Sequence, residues 1–280
     1  MMGLIMSRMG LSRIVVTAVL FGLLSTSLGS MGLVKAAQHF PHRAAVTSAH
    51  VGDRFQTARS DHLALLIANS NYPDADAAIA EVTAGADALA NVLRNHGFLV
   101  IVVRDATRAR MTEAVGRLKA AARPGSVVLV YFGGFGVQSQ GQNYMIPVDA
   151  KIWQERDVRR DGVSIERALS DLSTSGARIR IAIVDASHRN PYERRFRSYS
   201  HGLAPIDAGA NTIVITSTSP GRVVDNADTA PNRFVNGLAA EISPPSRSVE
   251  EVFAERAAAG ERFRREQEYS VPAMKPSEKS

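Results

Sequence analysis

From about residue 61 onward, short apolar runs alternate with stretches that have the periodicity of amphipathic helices. The runs are rich in Val, Ile and Leu and apolar on both faces, as parallel strands are when helices cover both sides of their sheet. The five runs are Leu63–Ala68, Phe98–Val103, Val127–Phe132, Ile179–Val184 and Thr212–Thr216. This strand-helix-strand order predicts an α/β fold with an open, mostly parallel sheet.

Three helical stripes occupy the intervals between these runs. In each of them, apolar residues recur three and four positions apart, as on the buried face of an amphipathic helix. The stripes are Val82, Ala86, Leu89, Ala90 and Leu93; Met111, Ala114, Val115, Leu118 and Ala122; and Ile165, Leu169 and Leu172. Farther along, Ser248 and Glu251 have the spacing of a capping box, which predicts a helix from there to about Gln267.

The composition excludes several classes of function. None of the 280 residues is cysteine, so the chain has no disulfide, no Cys-containing zinc site and no thiol nucleophile. The formal net charge of +6 says little about partners, because Arg8, Arg13 and Lys35 lie in a first stretch without acids. Since no basic run with interleaved aromatic residues is present, we expect no nucleic-acid partner.

Residues 1–37 have the order of a secretory signal peptide. Arg8 and Arg13 precede the apolar stretch Ile14–Leu28, and small residues follow it. As a helix the stretch spans about 22 Å, which is less than the hydrocarbon core of a bilayer, about 30 Å. We therefore expect an exported protein, periplasmic or secreted. The alternative is an uncleaved N-terminal anchor, which would then be the only membrane contact of the chain.

The rest of the chain divides by composition into three parts. Residues 38–60 are polar and mixed, which is typical of a linker. Residues 61–268 carry the alternating pattern and are predicted to form one domain. Residues 269–280, with two prolines and two lysines, are predicted to be a flexible tail.

The ends of the third and fourth strands carry the most specific residues, at the sheet edge where functional groups gather in parallel α/β folds. The third run leads into Gly133-Gly134-Phe135-Gly136 and, a loop later, Asn143-Tyr144-Met145-Ile146-Pro147-Val148-Asp149. The fourth leads into Asp185-Ala186-Ser187-His188. Together with Leu65–Tyr72, these segments resemble the caspase-like peptidases, in particular the bacterial metacaspase-like branch, and the resemblance covers residues 61–265.

This resemblance implies a caspase-like three-layer fold, with helices on both faces of a mostly parallel sheet, and acyl transfer by a Cys–His dyad. The position of the histidine is occupied here by Phe135, and that of the cysteine by Ser187. Phenylalanine has no proton to transfer, and a serine hydroxyl is far less acidic than a thiol, whose pKa is about 8.5. We therefore expect a catalytically inactive pseudo-peptidase that binds peptides or proteins.

Two other functions stay open on the sequence alone. One is an active endopeptidase that cleaves after Arg or Lys with Ser187 as nucleophile, for which the sequence identifies no base. His188 is adjacent to Ser187 and tends to diverge from it, and the distance to His201 cannot be read from sequence. The other is a non-enzymatic envelope adaptor that uses the domain as a rigid platform. A phosphate cradle at the glycine-rich turn is disfavoured because no lysine follows it.

Asp185 and Asp87 are the candidate ligand-binding residues. In metacaspase-like proteins, the acid two residues before the nucleophile and an acid on the first helix help to bind a basic side chain of the substrate. The resemblance places Asp185 and Asp87 at these positions, which implies a ligand that contains Arg or Lys. The alternative is that Asp185 caps the turn after its strand and Asp87 is a solvated helix residue.

No cofactor is expected from the residues themselves. The resemblance admits calcium, which some metacaspases require. Asp149, Asp157 and Asp161 lie in what the sequence presents as a loop after the third strand, but their spacing does not match an EF-hand loop. We therefore assign no metal site.

Overall fold

Five parallel strands form the central sheet in a computed structural model of the chain. The structure describes residues 60–75, 78–186, 202–221 and 233–269, excluding the side chains of 261–269. In chain order the elements are β1 (His62–Ala68), α1 (Ala80–Asn95), β2 (Leu99–Arg104), α2 (Arg108–Ala121), β3 (Val127–Gly133), β4 (Gly136–Ser139), β5 (Gln142–Met145), α3 (Glu155–Asp161), β6 (Val163–Ser164), α4 (Ile165–Ser173), β7 (Ile179–Asp185), β8 (Thr212–Thr216), α5 (Arg233–Ile242) and α6 (Val249–Tyr269).

The order of the strands in this sheet is β2-β1-β3-β7-β8, and every neighbouring pair is parallel. All five predicted strands are confirmed, with ends that differ by at most one residue. In the middle of the sheet, Leu66 pairs with Val102 on one side and with Tyr131 on the other. The predicted α/β class with a parallel sheet is therefore correct.

Helices cover both faces of the sheet, as expected for three layers. Successive residues of a strand point to opposite faces. Leu66 belongs to the apolar cluster that includes α1, α5 and α6, whereas Leu65 belongs to the cluster that includes α2 and α4. We call these sides the α1 face and the α2 face. Both residues are fully buried, so the core consists of two apolar layers separated by the sheet.

The last helix begins where the sequence predicts. The backbone N–H of Ser248 donates to Glu251 Oε2, and the N–H of Glu251 donates to Ser248 Oγ, both at 3.2 Å. This is the reciprocal pair of a capping box, which satisfies two N–H groups that have no partner within the helix. The helix continues to Tyr269, two residues beyond the predicted end.

The segment after β3 differs from the expected loop. It forms an antiparallel sheet of order β4-β5-β6. Helix α3, which contains Asp157 and Asp161, lies between β5 and β6 in the chain. These strands have four, four and two residues, which is too short for hydrophobic alternation to show. The expectation of a loop was therefore wrong for Asp157 and Asp161, whereas Asp149 does lie in a loop.

Several predictions fall outside the described residues. They concern the signal segment 1–37, nearly all of the linker 38–60, the tail from residue 270 on, and Ser187, His188 and His201. Within the described part of the chain, no helix is both long enough and apolar enough to cross a membrane.

Candidate functional site

The carboxyl ends of four neighbouring strands form a row of residues in register. Along this row lie Arg104 of β2, Ala68 of β1, Gly133 of β3 and Asp185 of β7. Because neighbouring strands are about 4.8 Å apart, the backbones of Arg104 and Asp185 are separated by roughly 14 Å. The motifs identified in the sequence all meet this edge of the sheet, as expected for a parallel α/β fold.

The turn between β3 and β4 is fixed against the end of β7. The N–H of Gly134 donates to the carbonyl of Asp185 at 3.2 Å, and the N–H of Gly136 donates to the carbonyl of Ala186 at 3.1 Å. These bonds continue the pairing of β3 with β7 past the end of the strands. They hold the turn that carries Phe135 against Asp185 and Ala186, the last described residues before Ser187.

Phe135 is a core residue. Its side chain is 5% exposed and belongs to the apolar cluster on the α1 face. Its ring contacts that of Tyr72, with centroids 4.5 Å apart. The Phe135 N–H donates to Tyr72 Oη at 3.0 Å, and its carbonyl accepts from the N–H of Ile146, also at 3.0 Å. The side chain at this position therefore contributes to packing.

The three glycines around Phe135 are explained by close packing. A Cβ on Gly133 would lie 2.3 Å from Tyr131 Oη, one on Gly134 would lie 2.4 Å from Tyr72 Oη, and one on Gly136 would lie 2.8 Å from the Cβ of Ala186. Gly134 also has a φ of +151°, a conformation that other residues rarely adopt. Close packing against neighbouring residues therefore explains the glycines of this turn, and a bound phosphate is not needed to explain them.

A carboxylate and two buried hydroxyls lie on the α1 face at this edge, on three neighbouring strand ends. Tyr131 lies two residues before Gly133, the register partner of Asp185, and Ser217 follows Thr216, the partner of Val184. By strand alternation, Tyr131, Asp185 and Ser217 point to the same side. Within the described residues, Tyr131 Oη and Ser217 Oγ are the buried side-chain oxygen or nitrogen atoms without a hydrogen-bond partner.

The electrostatics of this cluster favour a protonated tyrosine. Burial raises the pKa of Tyr131 well above its usual value, and the nearby Asp185 carboxylate raises it further. The Tyr131 hydroxyl therefore keeps its proton at neutral pH and is able both to donate and to accept a hydrogen bond.

Asp87 is not brought to Asp185. It lies on α1, and its carboxylate pairs with the guanidinium of Arg104, the last residue of edge strand β2. Both side chains are about half exposed. Arg104 and Asp185 are at opposite ends of the row of strand ends. The structure thus places the two candidate acids in different surroundings, one beside a cation and one beside buried hydroxyls.

The loop after β1, which carries Tyr72, is held by two polar side chains. Asn69 is fully buried; its Nδ2 donates to the carbonyl of Ile146 at 3.1 Å, and its Oδ1 accepts from the N–H of Ala106 at 2.8 Å. Asp105 Oδ1 accepts from the backbone N–H groups of Ser70 and Asn71, both at 2.9 Å. Burial disfavours the charged form of Asp105, but the bonds from Asn71 and Ser70 outweigh it, and the pKa of this carboxyl is lowered.

These observations can be compared with known proteins. The family model of the caspase domain matches residues 61–275, which is most of the chain. This chain belongs to the caspase-domain family. The caspase-like resemblance of the sequence is thereby confirmed.

Two curated relatives share part of this caspase domain. The human mucosa-associated lymphoid tissue lymphoma translocation protein 1 is 35% identical over 98 residues, which are 34% of this chain and 11% of the relative. Its mouse homolog is 33% identical over 107 residues, 36% of this chain and 12% of the relative. Most of each relative therefore lies outside the aligned part.

A solved structure shows the same fold. The crystal structure of the Drosophila initiator caspase Dronc superposes with a TM-score of 0.50 at 11% sequence identity. The superposition covers 69% of this chain and 70% of that one. The caspase-like fold expected from the strand-end motifs is therefore confirmed.

A buried asparagine of the caspase domain anchors the segment that follows Ser187. Asn143 on β5 is fully buried, and its Nδ2 donates to Glu166 Oε1 at 2.8 Å and to the carbonyl of Ala204 at 3.1 Å. Asn143 Oδ1 accepts from the N–H of Ala204 at 2.7 Å. One amide therefore connects the small sheet with residues 202–204. The sequence analysis included Asn143 only as part of a motif and assigned it no role.

The acidic residues considered for calcium are engaged by protein donors. Asp149 accepts from the N–H of Arg108, Asp157 from the N–H groups of Trp153 and Gln154, and Asp161 from the N–H of Lys151. In the described ranges, no group of three or more His, Cys, Asp or Glu side chains is arranged to hold a metal ion. These three aspartates therefore have structural roles in fixing the backbone around them.

Proposed function

We propose that this caspase domain is catalytically inactive and binds a peptide or protein ligand at the edge of the sheet around Asp185. The observation that carries the proposal is the burial of Phe135 against Tyr72 at the position that the resemblance assigns to the catalytic histidine. Phenylalanine cannot move a proton. The absence of cysteine from the chain removes the other member of the dyad.

The polar cluster supports binding of a basic side chain. Asp185 offers a carboxylate, and the oxygens of Tyr131 and Ser217 offer two further acceptors without a hydrogen-bond partner in the described part of the protein. An arginine carries five N–H donors in a planar fork and so matches several convergent acceptors. A buried hydroxyl without a partner costs about 1–3 kcal/mol, which such a ligand relieves.

A peptidase assay tests the proposed inactivity. Purified protein is incubated with reporter peptides that end in Arg or Lys, with and without calcium. We expect no cleavage above the rate of the buffer blank, and no adduct with thiol-directed inhibitors because there is no thiol to react. The Ser187→Ala variant is the control. Cleavage by the parent that disappears in this variant would replace the proposal with a serine peptidase.

A binding experiment tests the role of Asp185. We expect an Arg-containing peptide to bind more tightly than the same peptide with Gln in place of Arg. The Asp185→Asn change should weaken binding of the Arg peptide by about 1.5–3 kcal/mol, typical of a hydrogen bond to a charged group. Asp87→Asn is the matched control, because it also removes one negative charge but lies on α1 beside Arg104, at the opposite end of the row of strand ends. Equal affinities of parent and Asp185→Asn protein for both peptides would leave only the platform role.

The proposal includes an exported location. It is supported by Arg8 and Arg13 before the apolar stretch Ile14–Leu28. We expect the natural protein to be recovered outside the cytoplasm with residues 1 to about 37 removed. N-terminal sequencing of fractionated cells checks this, and a chain that begins at Met1 in the cytosolic fraction would contradict it.

A further inference from the structure

Trp153 is the single tryptophan of the chain, and 68% of its surface is exposed. In the part of the chain that the structure describes, no other large hydrophobic side chain is exposed to this extent. Tryptophan has a large apolar surface, so its contact with water costs free energy that a covering partner would recover. This makes Trp153 a candidate anchor for a second interaction.

The loop around Trp153 is held in place by the protein itself. The N–H groups of Trp153 and Gln154 both donate to Asp157 Oδ2 at 3.1 Å, and Asp157 is buried. The N–H of Lys151 donates to Asp161 Oδ2 at 3.0 Å, and the side chain of Ile152 is fully buried. Because the loop is already ordered, binding of a partner there carries little cost of ordering it.

The same loop borders a surface cavity of about 290 Å³, lined by Arg108, Asp149, Ala150, Lys151, Arg160 and Asp161. Both lining carboxylates accept hydrogen bonds from within the protein. Asp149 accepts from the N–H of Arg108 at 2.9 Å, and Asp161 pairs with Nε and Nη2 of Arg160 at 2.7 and 2.9 Å. The side chains of Arg108 and Lys151 form no salt bridge or hydrogen bond with the part of the chain that the structure describes. Arg108 also acts electrostatically on Asp161. With three cations and two carboxylates, the lining of the cavity carries an excess of positive charge.

We propose that this surface, formed by Trp153, Arg108 and Lys151, binds an acidic segment of a partner protein that carries a hydrophobic side chain next to its carboxylates. The carboxylates pair with Arg108 and Lys151, and the hydrophobic side chain covers the indole of Trp153. Tryptophan and arginine are among the residue types that contribute most to protein interfaces. The proposal commits to an acidic partner because cations outnumber carboxylates in the lining of the cavity.

This surface is separate from the site around Asp185. Arg108 follows edge strand β2 and begins α2, whereas Asp185 ends β7, three strands away in the sheet. The two sites also select opposite charges, since Asp185 favours a basic side chain and the cavity favours an acidic one. The affinity for an acidic peptide therefore reports on the cavity, and the affinity for an Arg-containing peptide reports on the site around Asp185.

Tryptophan fluorescence tests the proposal directly, because the only tryptophan of the chain lies on the proposed surface. The full-length protein is titrated with a glutamate-rich peptide that contains one phenylalanine. The same peptide with every glutamate replaced by glutamine serves as the neutral comparison. We expect a saturable blue shift of the emission with the acidic peptide alone, weakened by added salt. No shift with the acidic peptide, or equal affinities for the two peptides, would overturn the proposal.

Charge variants complete the experiment. Combined Arg108→Gln and Lys151→Gln changes should weaken binding of the acidic peptide by about tenfold or more. Arg167→Gln, an exposed arginine of α4 outside the cavity lining, should leave the affinity unchanged. Undiminished binding in the double variant would overturn the proposal. So would a shift caused by inorganic phosphate but not by the peptide, which would indicate a small-anion site. A shift that depends on protein concentration alone would indicate self-association instead.

Discussion

The rings of Phe135 and Tyr72 lie with their centroids 4.5 Å apart and their planes inclined by 40°. The hydroxyl of Tyr72 also accepts the N–H of Phe135 and donates to the carbonyl of Ile146, each at 3.0 Å. One tyrosine therefore fixes the ring and the backbone of Phe135 together. The position that the resemblance assigns to a catalytic histidine is thus part of the hydrophobic core in this chain.

Replacement of Phe135 by alanine tests this structural role. Removing a buried phenylalanine typically lowers the free energy of unfolding by about 3–5 kcal/mol, because apolar contacts are lost and a cavity is left. Trp153→Ala is the matched control, since it removes an aromatic side chain that is 68% exposed and should change stability by less than about 0.5 kcal/mol. Urea unfolding of the variants measures both values. Similar effects of the two changes would contradict a core role for Phe135.

The glycines of the caspase domain provide a second matched pair. In Gly134→Ala, the new Cβ would lie 2.4 Å from Tyr72 Oη on a backbone with a φ of +151°, so we expect clear destabilisation. In Gly116→Ala, within α2, the Cβ meets nothing within 4 Å, so we expect a gain of about 0.5–1 kcal/mol from helix propensity. Thermal unfolding of both variants checks these opposite signs. A stabilised Gly134→Ala protein would show that the turn is not constrained as described.

The central sheet was predictable from the sequence because its strands are buried on both faces. A run such as Val127–Phe132 is apolar throughout, and glycine or proline marks the ends of several neighbouring helices. The position of Ser248 three residues before Glu251 likewise predicts the start of α6, because a capping box is a local interaction. Features set by local sequence were therefore predicted well.

The surroundings of the candidate acids were not predictable in this way. The pairing of Asp87 with Arg104 joins a helix to an edge strand, and nothing in the local pattern around either residue indicates it. The convergence of Tyr131 and Ser217 beside Asp185 depends on the register of three strands. A single tyrosine hydroxyl in an otherwise apolar strand was the available signal for Tyr131, because a polar atom in a buried strand needs an explanation.

Acid unfolding should reveal the contribution of Asp105. Because the pKa of this carboxyl is lowered in the folded protein, its stabilising effect is present above the unfolded pKa of about 3.9 and is lost as the pH falls through the folded pKa. Asp105→Asn should therefore be less stable than the parent near neutral pH, and the difference should shrink between about pH 5 and pH 3. Asparagine tolerates the φ of +45° at this position, so the substitution does not change stability through backbone strain.

Urea unfolding of parent and Asp105→Asn protein at several pH values measures this difference. Asp61→Asn is the control for the loss of one negative charge, because the side chain of Asp61 is 76% exposed and its replacement should change the free energy of unfolding by less than about 0.5 kcal/mol. A difference between parent and Asp105→Asn that is constant from neutral to acidic pH would show that the ionised carboxylate does not stabilise the loop after β1.

The same substitution at two buried tyrosines should affect stability differently. Tyr72→Phe removes a hydroxyl that bonds to Phe135 and Ile146, and the loss of a buried partner costs about 1–3 kcal/mol. Tyr131→Phe removes a hydroxyl that has no partner in the described residues, so it should leave the free energy of unfolding unchanged or raise it by up to about 1 kcal/mol. Tyr131→Phe should also weaken binding of an Arg-containing peptide, because one acceptor beside Asp185 is lost. If Tyr131→Phe instead destabilises the protein as much as Tyr72→Phe, its hydroxyl has a partner in the folded state and is not available to a ligand.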